Sequence, residues 1–177
     1  MKPRVTEIIR VAFPESFRHF RSWDAELGKE LHALLAGYDL GWPEGPPPRA
    51  SSREKSCLTA YHAFRCGLPH LKLIECEQPR EHRALGYRGT PDCVFHDGRG
   101  HIVLERKTGS SALWHKLQVA AYSLLDGVRP ARRWRLYLKS NGAFRLLEDA
   151  DAASIETWIE LVGRHEPDYE KEQSCLK

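Results

Sequence analysis

The spacing of apolar residues changes part-way along this chain, and the change limits the folds that the chain can adopt. Residues 22–38 and 52–67 carry apolar side chains at helical intervals, and each run ends near a glycine. Residues 71–78 then change to a two-residue alternation, which is typical of a β-strand. Residues 86–95 and 101–107 also favour strands, and the Asp-Gly turn between them predicts a hairpin.

The second half of the chain alternates helices with strands. Residues 111–127 are apolar nearly all round, which indicates a helix buried on more than one side. Residues 132–149 favour a strand, an Asn-Gly turn and another strand, and residues 151–165 favour a helix capped by Asp149 or Asp151. This order predicts an α/β fold with a central mixed β-sheet flanked by helices. The helix between the third and fourth strands predicts a right-handed crossover, which makes those two strands parallel.

A chain of 177 residues is long enough for one domain with a substantial core, and we expect a single domain. Residues 5–13 fit either a short helix or a strand. The proline-rich residues 41–55 favour an exposed loop inside the domain. The expected parts are N-terminal helices in residues 1–67, a sheet core in residues 70–149, a C-terminal helix in residues 150–165 and a polar tail in residues 166–177.

The composition is that of an ordinary globular protein, with 41% hydrophobic and 29% charged residues. No apolar run is long enough to cross a bilayer, and the N-terminal segment lacks the apolar stretch and cleavage site of a signal peptide. We therefore expect a cytoplasmic protein that does not contact membranes. The net charge of +3 permits nucleic-acid binding only through a local basic surface.

Five cysteines occur, and no two have the C-x-x-C spacing that is common in zinc and iron–sulfur sites. We interpret them as reduced thiols, mostly buried, and expect no iron–sulfur cluster. They are Cys57, Cys66, Cys76, Cys93 and Cys175.

The stretch GTPDCVFHDGRGHIVLERKTG contains the most informative charges of the chain. Glu105 and Lys107 are two residues apart on a predicted strand and so project from the same face, while the hairpin brings Asp92 close to them. Two converging carboxylates repel each other unless a cation is present, and oxygen ligands select hard cations such as Mg²⁺ or Mn²⁺. A lysine beside the metal orients water or stabilises charge on a phosphate, which suits phosphodiester hydrolysis. The alternative is an exposed ion pair on a hairpin, and we assign Asp97 in the turn to structure alone.

These residues resemble a known family. Pro91-Asp92 followed by Glu105-x-Lys107 is similar to the motif of the PD-(D/E)XK nuclease superfamily. The preceding ALGYRGTPDCVF resembles the glycine-rich approach to the metal-binding aspartate in the RecB-like and phage-type exonucleases of that superfamily.

Three further segments resemble the same branch, and together the likeness covers residues 27–125. Gln118 and Tyr122 in LQVAAYSLL look like its Q-x-x-x-Y motif, and their four-residue spacing puts them on one helical face. The segment ELGKELHALL resembles an upstream G-x-x-x-H helix whose histidine, here His32, is a metal ligand. The segment LKLIECEQ resembles its acidic strand, which makes Glu77, or else Glu75, an accessory acidic residue.

The resemblance implies a restriction-endonuclease-like core and a role for each motif residue. Asp92 and Glu105 would hold Mg²⁺ or Mn²⁺, with His32 and the backbone carbonyl of Arg106 as further ligands. Lys107 would position the attacking water or stabilise the transition state. Gln118 and Tyr122 would complete the catalytic set by contacting DNA or steadying the site. His62 on the second helix is a rival of His32.

The implied activity is that of a metal-dependent deoxyribonuclease, an exonuclease rather than an endonuclease, in DNA recombination, repair or phage DNA processing. The implied partners are DNA and, as a separate chain, a recombinase, a single-strand-annealing protein or a helicase, and the protein itself would form a homo-oligomer. One alternative is a non-catalytic nucleic-acid-binding module that keeps the fold. Another is a structural or toxin–immunity partner domain.

Basic residues outside the motifs are candidates for DNA contact. In ARRWRLYLK, arginines surround two aromatic residues, a pattern that suits backbone contact and base stacking. The alternative for that stretch is an edge strand protected by charge. The candidates are Arg49, Arg53, Lys116, Arg133 and Arg135.

Overall fold

The computed structural model describes residues 1–18, 22–41, 50–128 and 131–165, without the side chains of residues 22–27. These residues form a single α/β domain. Its helices are α1 (Val5–Ala12), α2 (Pro14–Phe17), α3 (Ser22–Asp39), α4 (Ser52–Gly67), α5 (Trp114–Ser123) and α6 (Ala153–Arg164). Its strands are β1 (Lys72–Cys76), β2 (Arg80–His82), β3 (Tyr87–Gly89), β4 (Cys93–His96), β5 (His101–Lys107), β6 (Ala131–Leu138) and β7 (Phe144–Glu148).

The main sheet has five strands in the order β1-β4-β5-β6-β7. Strands β5 and β6 are parallel, and the other neighbouring pairs are antiparallel. The expected mixed sheet flanked by helices is confirmed, and so is the parallel pair on either side of α5. A parallel pair needs a long connection because the chain must return to the end of the sheet at which the first strand began. Helix α5 lies within that connection.

Residues 86–95, expected to form one strand, instead form two. Tyr87–Gly89 pairs with β2 in a separate two-stranded sheet, whereas Cys93–His96 joins the main sheet. Pro91 lies between them, and a proline interrupts strand pairing because it has no backbone N–H to donate.

Residues 5–13, for which the sequence left helix and strand open, form the helix α1 and its C-cap. Val5, Ile8 and Ile9 are buried at helical spacing. Pro14 follows this helix and is the first residue of the short helix α2. Proline is tolerated there, since the first helical N–H has no partner within the helix.

The two faces of the sheet support two hydrophobic clusters. On β5, Ile102 and Leu104 pack with α3 and α4, whereas Val103 packs with α1, α5 and α6. The alternation of side chains along a strand produces this division. It also determines which charged residues at the end of β5 face α5.

Most of the proline-rich loop and the whole polar tail lie outside the described residues. Within the described ranges, no helix is both long enough and apolar enough to cross a membrane.

Candidate metal centre

The register of the main sheet brings Asp92 beside Glu105. Cys93 of β4 pairs with Leu104 of β5, so the next residues along the antiparallel ladder are Asp92 and Glu105. Residues opposite each other in such a ladder project from the same face. The hairpin therefore brings these carboxylates together, as the sequence predicted.

Asp92 is buried and bound from two sides. Its Oδ2 accepts a hydrogen bond of 2.6 Å from the backbone N–H of Arg106, and its Oδ1 lies 3.1 Å from Nδ1 of His32. Burial by itself would raise the pKa of Asp92, but the charges of His32, Arg106 and Lys107 outweigh it and lower that pKa to about 2. Asp92 is therefore ionised at neutral pH.

His32 extends from α3 to two carboxylates. Its Nδ1 lies 3.1 Å from Asp92 and 3.4 Å from Oε1 of Glu77. The negative charge of Asp92 raises the pKa of His32 to about 10, although burial opposes the shift. In the protein without a metal, His32 thus carries the positive charge that these carboxylates require.

Glu105 has one satisfied and one unsatisfied oxygen. Its Oε1 accepts a hydrogen bond of 2.7 Å from Lys107, whereas its buried Oε2 has no hydrogen-bond partner in the part of the chain that the structure describes. Burial and the charge of Asp92 raise the pKa of Glu105 to about 7. An unpaired buried carboxylate oxygen is costly, and a cation bound beside it would remove that cost.

A chain of hydrogen bonds runs from β5 into α5. Lys107 Nζ donates to Glu105 and, over 2.8 Å, to Oε1 of Gln118, and Gln118 Nε2 donates to the hydroxyl of Tyr122 over 3.1 Å. The ammonium group also lies 5.1 Å from the ring centroid of Trp114. The structure thus joins the E-x-K and Q-x-x-x-Y segments into one network.

Arg106 has a role that the sequence did not reveal. Its side chain is buried and bonds Glu77 over 2.9 Å and Asp39 over 3.3 Å. Asp39 also accepts a hydrogen bond from the hydroxyl of Tyr61. Asp39 lies seven residues after His32, two helical turns along α3, and that spacing was a signal for a shared face. A contribution of the Arg106 carbonyl to metal binding stays a prediction.

The two accessory glutamates differ in position. Glu77 follows β1 with a left-handed φ of 51°, its backbone N–H donates to the Asp92 carbonyl, and its carboxylate faces His32. Glu75 instead pairs with Arg80. The preference for Glu77 over Glu75 therefore agrees with the geometry.

The rival histidine lies elsewhere. The His62 ring is hydrogen bonded to the Tyr38 hydroxyl, with 2.7 Å between Nδ1 and the oxygen, and it contacts Cys66. Asp97 accepts hydrogen bonds from the backbone N–H groups of Arg99 and Gly100, so it shapes the turn between β4 and β5.

Arg133 and Arg135, which the sequence made candidates for DNA contact, do not lie at the surface. These side chains are only 5% and 4% exposed. Arg133 bonds Ser154 and the Asp151 carbonyl, and Arg135 binds the carboxylate of Asp149. The alternative of an edge strand is also wrong, because β6 lies between β5 and β7. Most of β6 is also buried, and its arginines are retained there by their partners.

The other basic candidates have different positions. Arg53 is exposed, and its guanidinium lies 3.5 Å from the carbonyl of Thr108, just beyond Lys107. Lys116 is partly exposed and lies 3.7 Å from a carboxylate oxygen of Asp151. Arg49 lies outside the described residues.

Two groups of described side chains have the composition of a cation site. The ligand atoms of His32, Glu77 and Asp92 lie within 4.8 Å of one another, next to Glu105. The second group consists of Asp39, Cys76 and Cys93. Its only carboxylate lies 3.3 Å from the guanidinium groups of both Arg65 and Arg106, and their positive charge opposes a cation there.

Comparison with known proteins does not assign this chain to a family. No protein-family model matches the chain, and no curated protein matches its sequence. Among solved structures, 17 chains match. One, described as "Crystal structure of SSO0001", is 18% identical with a TM-score of 0.48, over 96% of this chain and 79% of that chain. A likeness at this level carries no argument about function.

Proposed function

We propose that this protein is a metal-dependent deoxyribonuclease with a restriction-endonuclease-like core of the RecB-like type. One observation carries the proposal. An imidazole, two buried carboxylates and a lysine converge from α3, the start of β4 and the end of β5, and one carboxylate keeps a buried oxygen without a partner among the described residues.

The residues present fit a hard divalent cation. His32, Glu77 and Asp92 would hold it, since their ligand atoms lie within 4.8 Å of one another, and Glu105 beside Asp92 would add a further carboxylate. Carboxylate oxygens suit Mg²⁺ and Mn²⁺. The negative charge of Asp92 raises the pKa of His32 to about 10, and the same charge favours a cation at this place. Such a cation, when bound, supplies Lewis-acid stabilisation of phosphate charge and lowers the pKa of water.

The protein's own residues then bind and orient the substrate. Glu105 and Gln118 use two of the three N–H donors of Lys107, which leaves one donor for a phosphate oxygen. Such a donor is fixed before the reaction and stabilises the negative charge that develops in the transition state. Tyr122 holds the amide of Gln118, so its role is to position Lys107 through that amide.

The test is degradation of linear single- and double-stranded DNA with Mg²⁺ or Mn²⁺. We expect Asp92→Ala and Lys107→Ala each to slow cleavage on the order of a hundredfold or more, since each removes a charge at the reacting centre. Glu160→Gln and Lys72→Ala alter exposed charges elsewhere and serve as matched controls. Equal activity in the wild type and both site variants would remove the assignment.

A second digestion decides between exonuclease and endonuclease action. We propose an exonuclease, so linear DNA should disappear while a closed circle of the same sequence survives. Equal loss of both substrates would identify an endonuclease. A non-catalytic DNA-binding module without a metal site would show neither cleavage nor a thermal shift with Mg²⁺ or Mn²⁺, because only a bound ion stabilises the folded state by mass action.

A further inference from the structure

A pocket of about 590 Å³ is lined in part by Thr108, the residue after Lys107, and the proposed chemistry does not use it. It lies between the loop that follows β5 and the turn that joins β6 to β7. The lining residues are Thr108, Gly109, Ser110, Ser111, Tyr137, Leu138, Lys139, Ser140, Asn141 and Arg145.

The lining has the composition of an anion site. It contains hydroxyl groups, one amide and two cations, Lys139 and Arg145, but no carboxylate. Both cations are exposed, and neither forms an ion pair within the described ranges. A phosphate accepts hydrogen bonds through several oxygens and pairs with lysine and arginine, so it matches this lining.

The sheet register places the pocket beside Lys107. In the parallel pair of β5 and β6, Lys107 is opposite Tyr137, and neighbouring strands lie roughly 5 Å apart. The Tyr137 hydroxyl is fixed by contacts of 3.0 Å with Arg135, 3.0 Å with His115 and 3.1 Å with Ser111. One wall of the pocket is thus rigid and adjoins the candidate catalytic lysine.

The cations project from the same face of the sheet as Lys107. Tyr137 is opposite Arg145 in the antiparallel pair of β6 and β7, and Lys139 follows Tyr137 by two positions. Burial, together with the charges of Lys107 and Arg135, lowers the pKa of His115 to about 3, so this histidine is neutral and the two cations of the lining supply the positive charge on this face.

We infer that this pocket binds a phosphate group of the nucleic-acid strand, next to the phosphate that lies at Lys107. The inference rests on the proposed function for the identity of that strand. The ligand is either an internal phosphodiester or a terminal phosphate, and both offer the same oxygens to Lys139 and Arg145. Placing a second phosphate would fix the position of the scissile bond relative to Lys107.

The test measures binding without cleavage. Wild type and Lys139→Ala/Arg145→Ala are titrated, in the presence of a chelator, with a 3′-labelled oligothymidylate of about 12 nucleotides, a length that suits a single domain. We expect the double variant to bind at least about tenfold more weakly and to show a shallower salt dependence, because fewer phosphates are neutralised.

The matched control is Lys72→Ala/Arg99→Ala, which removes the same two charges. Both residues are exposed, and they lie near the opposite end of the strands from the pocket. Thermal melting of each variant verifies that it is folded, and the single variants Lys139→Ala and Arg145→Ala are each expected to show a smaller loss. Unchanged binding by the pocket variant, an equal loss in the control, or no binding by the wild type would overturn the inference.

Two substrate arms identify the phosphate. If a 5′-phosphate strengthens binding to the wild type but not to the pocket variant, the pocket holds a terminal phosphate. Equal binding of the 5′-phosphate and 5′-hydroxyl oligonucleotides, with the pocket variant weakened on both, identifies an internal phosphodiester. The binding test contains no metal, so it does not depend on cleavage. If binding depends on the pocket but no cleavage follows when metal is added, this inference stands and the proposed nuclease function is wrong.

Discussion

The ionisation of Glu105 depends strongly on what surrounds this side chain. It is only 2% exposed, it adjoins the ionised Asp92, and its pKa is raised from 4.5 to about 7. Between these two pH values the folded protein keeps a proton that the unfolded chain releases. Stability of the metal-free protein therefore falls as the pH rises through this window, and it stays low above it.

We expect Glu105→Gln to stabilise the metal-free protein above pH 7, by up to about 3 kcal/mol, since the amide carries no charge to bury. Near pH 4.5 the variant and the wild type should melt at similar temperatures. Melting curves across this range, with and without Mn²⁺, measure both effects, and the Mn²⁺-induced shift should be smaller in the variant. A constant difference in Tm at all pH values would contradict the argument.

Gly89 is required by close approach. A Cβ at this position would lie 2.5 Å from a ring carbon of Tyr122, and the ring is held in place through its hydrogen bond to Gln118. We expect Gly89→Ala to destabilise the protein by about 1–3 kcal/mol, as overpacked cores are, and to slow cleavage because Gln118 moves. Gly67→Ala is the control, since a Cβ there has open space. Denaturant unfolding of both variants decides the matter, and equal stability of the two would exclude a close-approach role.

At the scale of elements, α3 and α4 position the buried charges together. His32 and Asp39 lie on α3, and the hydroxyl group of Tyr61 on α4 donates a hydrogen bond to Asp39. The start of α4 is defined by Ser51, whose side chain accepts from the Glu54 backbone N–H while the Glu54 carboxylate accepts from the Ser51 backbone N–H.

Loss of this cap should weaken α4 without altering the metal centre. We expect Ser51→Ala to lower the free energy of unfolding by about 1 kcal/mol and to leave Mn²⁺ affinity unchanged. Ser52→Ala, at the exposed neighbouring position, is the control for a serine that does not cap the helix. Chemical denaturation and calorimetric Mn²⁺ titration separate the two quantities, and a large change in affinity would show that α4 constrains the ligands more tightly than its cap suggests.

For the molecule as a whole, metal binding and proton release are linked. His32 is protonated in the metal-free protein because Asp92 raises its pKa to about 10, and an imidazole must be neutral to bind a metal. Affinity for Mn²⁺ should therefore rise with pH below that value, by up to about tenfold per pH unit while one proton is released. Below about pH 7, Glu105 contributes a second proton.

Calorimetric titration in buffers of different ionisation enthalpy measures the number of protons released. We expect about one proton from the wild type at slightly alkaline pH, and fewer from His32→Asn, since asparagine does not titrate. An affinity that stays constant with pH would show that His32 is not displaced from its protonated state by the ion.

Much of the fold followed from local patterns in the sequence. The two-residue alternation and the Asp-Gly turn predicted β4 and β5, and the position of α5 predicted the parallel pair with β6. The split of residues 86–95 did not follow, because the effect of Pro91 depends on which strand each half can reach. The burial of Arg133 and Arg135 could not be predicted from local patterns either, because it depends on contacts with α6 and with the residue that follows β7.

The candidate site divides in the same way. Spacing alone brought Asp92, Glu105 and Lys107 to one face, because strand alternation and a short turn act over a few residues. Chain folding over longer distances decided that Glu77 rather than Glu75 faces His32, and that Arg106 bridges Glu77 and Asp39. Those contacts, like the pocket beside Tyr137, join elements distant in sequence. Local geometry is set by the residues themselves, whereas distant partners and burial exist only once the sheet and helices have packed.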